Sequence, residues 1–306
     1  MKDLYLIGNH GFPEGGNSST IEFYLVTTDH LSEAIWFKDD QDYKVCISYI
    51  AILSLISGVK VLAFILMSNH LHLVLQCTEP EARWFIDELK RRYSEYLNRR
   101  YGTDDFLRRN HCDIRRVYID DESLERAIAY TIMNCVAANI CLNATDYPWS
   151  SARAYFRLDK PSGVRFGDMS KRSRRKTLHS KAIIPDEIII SEGHIALESF
   201  VSVSFVESLF RTPKRLNYFM LNSSKAKRVL ASKDVRIPSF KDQVILAAVP
   251  DLCRSLFRKN SPADLNTEEL KEIIIQIRHR FSADVNQIAR VLGIPYSNIA
   301  SSLDSF

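Results

Sequence analysis

Glycine and proline are scarce in this chain of 306 residues, with ten of each. That excludes collagen-like and Pro/Gly-rich low-complexity readings, and no segment recurs at the roughly 20–50-residue period of solenoids or propellers. Cysteine is sparse too. Cys46, Cys77, Cys112, Cys135, Cys141 and Cys253 form no CxxC pair and no zinc-type spacing, so reduced thiols are expected. The opening stretch MKDLYLIGNHGFPEGG lacks the apolar core of a signal peptide, and a cytoplasmic protein is expected. Long apolar runs are few. Residues 44–67 come nearest, but Gly58 and Lys60 interrupt them. A buried helix followed by a buried strand fits better than a membrane span of about 20 unbroken residues.

Hydrophobic residues make up 46% and charged residues 25%, enough for a sizeable core, and the length suits two domains. The net charge of +4 conceals an asymmetry. Residues 83–117 carry ten Lys/Arg against six Asp/Glu, and residues 153–181 carry ten against two. Positive charge concentrated in this way is the footprint of a polyanion partner, although a solvated charged face would suffice for the first segment.

Residues 20–28 are β-branched and aromatic and read as a strand, and 40–57 as an apolar helix. Residues 59–66 and 70–76 read as strands joined by a hairpin-sized connection at Met67-Ser68-Asn69. A helix over 81–101 ends at Gly102, a strand follows near 112–118, and a helix capped by Asp120 or Asp121 runs to about Asn143. That order predicts an α+β fold, a mostly antiparallel sheet with helices packed on it. Beyond 156 the chain reads as a basic, helix-poor linker and irregular extension to residue 238. From 239 to 306 it reads as a helical domain.

In HLHLVL the alternation puts His70, His72 and Val74 on one strand face, and Leu71, Leu73 and Leu75 on the core-facing other. Two imidazoles spaced in this way can converge on one cation, and imidazole with an oxygen ligand suits a catalytic divalent ion. The plainer alternative is a pair of histidines exposed on a one-sided sheet. In AIAYTIMNCVAANI, Tyr130 and Asn134 are four apart and share a helix face. If Asn134 completes a site with His70 and His72, Tyr130 is held one turn away. A free phenol, with its pKa of about 10, needs such activation to act as a nucleophile. Alternatively, the two residues simply edge an amphipathic helix.

MSNHLHLVL (67–75), NRRYG (98–102), YTIMNCV (130–136) and DYPWSS (146–151) lie in the order and spacing of the single-tyrosine HUH transposases. The chain resembles most closely the REP-associated tyrosine transposase group, over roughly residues 18–156. That resemblance implies a ferredoxin-like (RRM-like) sheet in a catalytic domain over 1–156. It implies His70, His72 and Asn134 as ligands of Mg²⁺ or Mn²⁺ and Tyr130 as nucleophile. The implied activity is cleavage and rejoining of hairpin-forming single-stranded DNA through a 5′-phosphotyrosine, without a nucleotide cofactor, in a prokaryotic, nucleoid-associated protein. Cys135 stands where the family carries proline, which suggests a straighter helix here. A replication-type nickase and a non-catalytic DNA-binding regulator are the alternatives, and a homodimer is compatible with either.

For holding DNA, Arg91, Arg92, Arg99, Arg100, Arg115 and Arg116 are candidates, interleaved with Tyr93, Tyr96 and Tyr101, several of which fit a core role better. Lys171, Arg172, Arg174, Arg175 and Lys176 suggest a mobile phosphate-binding arm. Residues 285–303 have a helix-turn-helix layout, with Gly293 at the turn, Pro295 opening the second helix, and Tyr296, Ser297, Asn298, Ser301 and Ser302 facing outward. Because that segment has almost no Lys or Arg, a plain helical packing unit is the alternative.

Overall fold

A computed structural model describes residues 20–103, 106–159, 162–223 and 239–304. The opening sixteen residues and the 224–238 part of the expected extension lie outside these. Strand β1 (Glu22–Thr28) leads to helix α1 (Asp40–Ser57), which starts on the Asp39 side chain and stops at Gly58, whose φ of 77° needs no Cβ. Strands β2 (Lys60–Met67) and β3 (His70–Cys77) form the hairpin. Helix α2 (Glu79–Tyr101) opens with a capping box between Thr78 and Glu81 and closes at Gly102. A short turn of helix, α3 (Phe106–Arg109), precedes β4 (Cys112–Val117).

The four strands pair antiparallel in the order β2-β3-β1-β4. With the βαββαβ succession this is the ferredoxin-like arrangement. Its two interleaved crossovers share one hand, so α1 and α2 pack together on the face that takes Leu71, Leu73 and Leu75. The DYPWSS segment closes the outer edge of β2. Trp149 O accepts the Leu66 N–H at 2.9 Å, Tyr147 donates to Leu66 O at 2.7 Å, and the Ser151 hydroxyl accepts the Phe64 N–H at 3.0 Å. That motif therefore protects a sheet edge.

The other sheet face is covered as well. Helix α4 (Ser123–Ile132) lies against β2, β3 and β4, and a one-turn α5 (Asn134–Ala137) follows. Two expectations change here. The helix starts at Ser123, with Asp121 accepting the Ser123 N–H, and it ends at Ile132, not near Asn143. The straighter helix expected from Cys135 is not seen either: the helix breaks at Met133, with φ −89° and ψ 0°.

The stretch read as irregular is also more ordered than expected. It carries a small antiparallel sheet of β5 (Val164–Arg165), β6 (Ile189–Ser191) and β7 (His194–Ile195), and helices α6 (Lys171–Leu178), α7 (Val203–Phe210) and α8 (Pro213–Asn222). Phe166, Leu178, Ile184, Phe210 and Phe219 join the same hydrophobic core as the main sheet.

The C-terminal region is helical: α9 (Asp242–Phe257), α10 (Thr267–Phe281), α11 (Val285–Leu292) and α12 (Tyr296–Asp304) surround a separate core containing Ile245, Ile273, Ile277, Ile288 and Ile299. Asp242 joins it to the hairpin, accepting from Ser68 Oγ at 2.6 Å, Gln287 Nε2 at 2.9 Å and Arg290 Nε at 3.1 Å. Among the described residues no helix is long and apolar enough to cross a membrane. All six cysteines are free thiols.

Asp42, with no exposed surface, fastens α1 to α2. It accepts the Lys38 N–H (2.8 Å), the Tyr96 hydroxyl (2.8 Å), the Tyr101 hydroxyl (3.0 Å) and Arg100 Nη1 (2.6 Å). Removing one partner of a buried charged network costs about 3–5 kcal/mol, and the partial exposure of Arg100 places this one near the lower end. Asp42→Asn is expected to lower unfolding free energy by about 3 kcal/mol in urea titration; a loss under about 1 kcal/mol would contradict this account of the α1–α2 junction.

Candidate active site

The histidine strand lies in the middle of the sheet, between β2 and β1, and both histidines are buried: His72 is 1% exposed and His70 5%. The exposed-pair alternative is thereby excluded. Strand register decides what surrounds them. Thr27 of β1 is paired with His72, and its hydroxyl meets His72 Nδ1 at 2.9 Å. Asn69, in the hairpin turn, donates through Nδ2 to Leu31 O at 2.8 Å, so its Oδ1, 2.9 Å from His70 Nδ1, acts as acceptor. His70 then carries its proton on Nδ1, which leaves Nε2 as the nitrogen able to coordinate. The two rings are 5.0 Å apart and nearly perpendicular.

Helix α4 brings Tyr130 to this pair. Its ring meets His72 edge to face, at 5.3 Å between centroids. Tyr130 is half-buried and lines a cleft of about 420 Å³ between β4 and α4, with Arg115, Arg116 and Arg126 around it. Arg116 pairs with Glu22 and lies over the Tyr118 ring at 4.9 Å, while Arg126 pairs with Glu122 at 3.0 Å. Asn134 follows one turn later and is largely buried; its Nδ2 donates to Tyr130 O at 2.8 Å, which leaves Oδ1 as its acceptor atom. Among the described residues no three His, Cys, Asp or Glu side chains form a metal cage. A cation at the histidine pair would therefore need a different oxygen donor, and the Asn134 amide is of that chemical type.

The other candidate cations do not reach this site. Arg91 pairs with Glu88 at 2.7 Å and also with Glu95, and Arg92 pairs with Glu88 at 2.7 Å. Burial favours a neutral Glu88, but the two guanidiniums prevail and hold its carboxyl below the usual range. Arg100 is bound to Asp39 and Asp42, and Arg99 donates to Glu95 O. Lys171, Arg172, Arg174, Arg175 and Lys176 occupy a capped helix, α6, and not a mobile arm. The Ser170 hydroxyl caps its start, and Arg174 is tied to Met169 O, Gly167 O and Asp186 over the Phe166 ring.

Several neighbours were not identified from sequence. Arg126, one turn before Tyr130, was legible in the spacing. Thr27 and Asn69 needed the strand register and the turn geometry. His30, whose ring stacks on His70 at 3.6 Å, lies in a loop with no periodic signal.

No protein-family model matches the chain, and no curated protein matches it. A solved structure of a REP-associated tyrosine transposase bound to a REP hairpin is similar over 47% of this chain and 84% of its own, with 13% identity and a TM-score of 0.34. A likeness at that level assigns neither chemistry nor partner to this chain.

The break at Met133 places Cys135 in the first turn of α5, a position that tolerates proline. Cys135→Pro is expected to fold cooperatively with a loss of no more than about 1.5 kcal/mol. Ile128→Pro, inside α4, is expected to cost about 3 kcal/mol or more. Equal losses in thermal melts would show that α4 and α5 behave as one helix.

Proposed function

We propose that the chain cleaves and rejoins single-stranded DNA with Tyr130 as nucleophile, acting on hairpin-forming substrates as a transposase or a domesticated relative of one. The observation that carries this reading is the His72–Tyr130 contact, which brings a buried histidine pair and a phenol together at the edge of an arginine-lined cleft. Without a nucleophile beside it, the pair would be only a binding site; without the pair, the phenol would be an ordinary half-buried tyrosine.

His70, His72 and Asn134 are the residues that would hold Mg²⁺ or Mn²⁺. The ion, when bound, supplies Lewis-acid polarisation of a phosphate oxygen. Arg115, Arg116 and Arg126 draw the DNA backbone into the cleft and set its register. The Tyr130 oxygen forms a bond to phosphorus as the bond from phosphorus to the 3′ oxygen breaks. The phenol loses its proton, and the departing oxygen ends as a 3′-hydroxyl. The new tyrosyl phosphodiester replaces the old one bond for bond, so a second 3′-hydroxyl can reverse the step without a nucleotide cofactor. Thr27 and Asn69 hold the imidazole rings in place, the role that outer partners play around metal-binding histidines. On the C-terminal helices, Tyr296, Ser297, Asn298 and Ser301 are exposed and Ser302 is half-exposed, which supports a subsidiary DNA-reading role for α12.

Incubated with a labelled hairpin oligonucleotide and Mn²⁺, the protein is expected to form a covalent adduct. EDTA should prevent it and Tyr130→Phe abolish it. An adduct that survives Tyr130→Phe refutes the nucleophile. If the wild type forms none on any hairpin, a non-catalytic DNA-binding regulator becomes the better reading. Thr27→Val keeps the β-branched shape but loses the bond to His72. It is expected to raise the Mn²⁺ concentration for half-maximal adduct by about 10–100-fold; an unchanged metal dependence would remove Thr27 from the site.

A further inference from the structure

A second and larger cleft, of about 1740 Å³, lies between the outer surfaces of α1 and α2 and the segment formed by α6 and residues 179–185. Lining it are five arginines, two lysines and a single carboxylate, that of Glu95. Glu88, Glu95, Asp39 and Asp42 engage three of the arginines, Arg91, Arg92 and Arg100. Arg99, Arg175, Lys176 and Lys181 are exposed and have no ion pair among the described residues. They come from two sequence segments about eighty residues apart, and only the docking of α6 on α1 brings them to one cavity.

We propose that this cleft is a second, non-catalytic site that binds the phosphodiester backbone of DNA. Several uncompensated cations in one long concave surface match a repeating anion. Two of the four, Arg99 and Arg175, are guanidiniums, whose planar fork suits phosphate oxygens, and two are lysines that act as point charges. The choice of DNA as the polyanion rests on the reading of Tyr130 above; the cleft itself does not. α1 and α2 are on the leucine face of the sheet, whereas Tyr130 is on the histidine face. The cleft is therefore separated from the nucleophile by the sheet and a helical layer, roughly 20 Å at usual packing distances. It cannot hold the scissile phosphate. It can hold a remote part of the same substrate.

His179 caps α6 within this cleft and provides a local reporter. Its ring contacts the edge of Tyr96 and Gln41 Nε2, and its carbonyl accepts the Tyr49 hydroxyl at 3.1 Å. Burial lowers its pKa below the usual histidine value, and the positive charges of Arg100 and Arg99 lower it further. Phosphates entering the cleft would offset those charges and raise it.

The test uses the full chain carrying Tyr130→Phe, in EDTA, so that no chemistry occurs. Anisotropy of a labelled hairpin oligonucleotide is followed across salt concentrations. Arg175→Glu/Lys176→Glu/Lys181→Glu is expected to weaken binding about tenfold or more and to reduce the log–log salt slope by about two to three. Lys171→Glu/Arg172→Glu changes charge on the same helix outside the cleft lining and is expected to cost far less. In the parent protein, NMR titration should show the His179 pKa rising with DNA. Unchanged affinity and slope in the triple variant, or an equal loss in the double variant, overturns the proposal. The adduct assay is separate: DNA binding lost with the triple change while Tyr130 forms no adduct would support this site and reject the catalytic reading.

Discussion

The buried carboxylate of Asp42 is the point on which the helical layer depends. It has no exposed surface, and four donors from two parts of the chain converge on its two oxygens: a backbone N–H before α1, and two tyrosine hydroxyls and a guanidinium from α2. A charge so placed is tolerated only when its lone pairs are filled, so the relative placement of α1 and α2 is set by hydrogen-bond geometry as well as by apolar packing. Those two helices form the floor beneath the leucines of β3. The same carboxylate absorbs the charge of Arg100, so the cations left over on that surface are those of Arg99 and the α6 segment.

The sheet divides two kinds of chemistry. On the leucine side, alternation produces an apolar interface closed by α1 and α2. On the histidine side, the same alternation turns polar rings toward α4, and α8 braces that helix through Arg215, which reaches Glu122 and Glu125. A one-residue slip of β3 would exchange the two faces. The Thr27–His72 bond and the Leu71 N–H bond to the Thr28 hydroxyl are specific to the observed register.

Much of the described chain between β1 and β4 was legible because local signals agreed with one another. Gly58 and Gly102 mark helix ends through nearest-neighbour chemistry, and HLHLVL marks a strand through its period. The shared face of the histidine pair is legible in the period of its strand, whereas Tyr130 is singled out by the ordered motifs around it, since its helical spacing alone fits an amphipathic edge equally well. What surrounds them is not legible, because Thr27 and His30 reach the histidines through register and loop path, which no local pattern encodes. Helix α6 is hidden in the sequence because KRSRRK carries no apolar face of its own; Leu178 anchors it and Ser170 caps it, both beyond the charged run. The break at Met133 is hidden for a different reason. No proline stands there, and the chain leaves helical geometry at a residue with no breaker chemistry.

The Ser68–Asp242 bond spans 174 residues of sequence. A ribosome emits the hairpin tip before Asp242, and adds about five to twenty residues per second. The tip, one residue from Asn69, must therefore wait several seconds at least before α9 arrives to clasp it, and longer before Gln287 and Arg290 complete the clasp. During synthesis the histidine pair is thus assembled from its near neighbours first. Its last fastening comes from a segment 174 residues further along the chain, so a nascent chain interrupted before residue 242 would carry the pair with its hairpin tip still untethered.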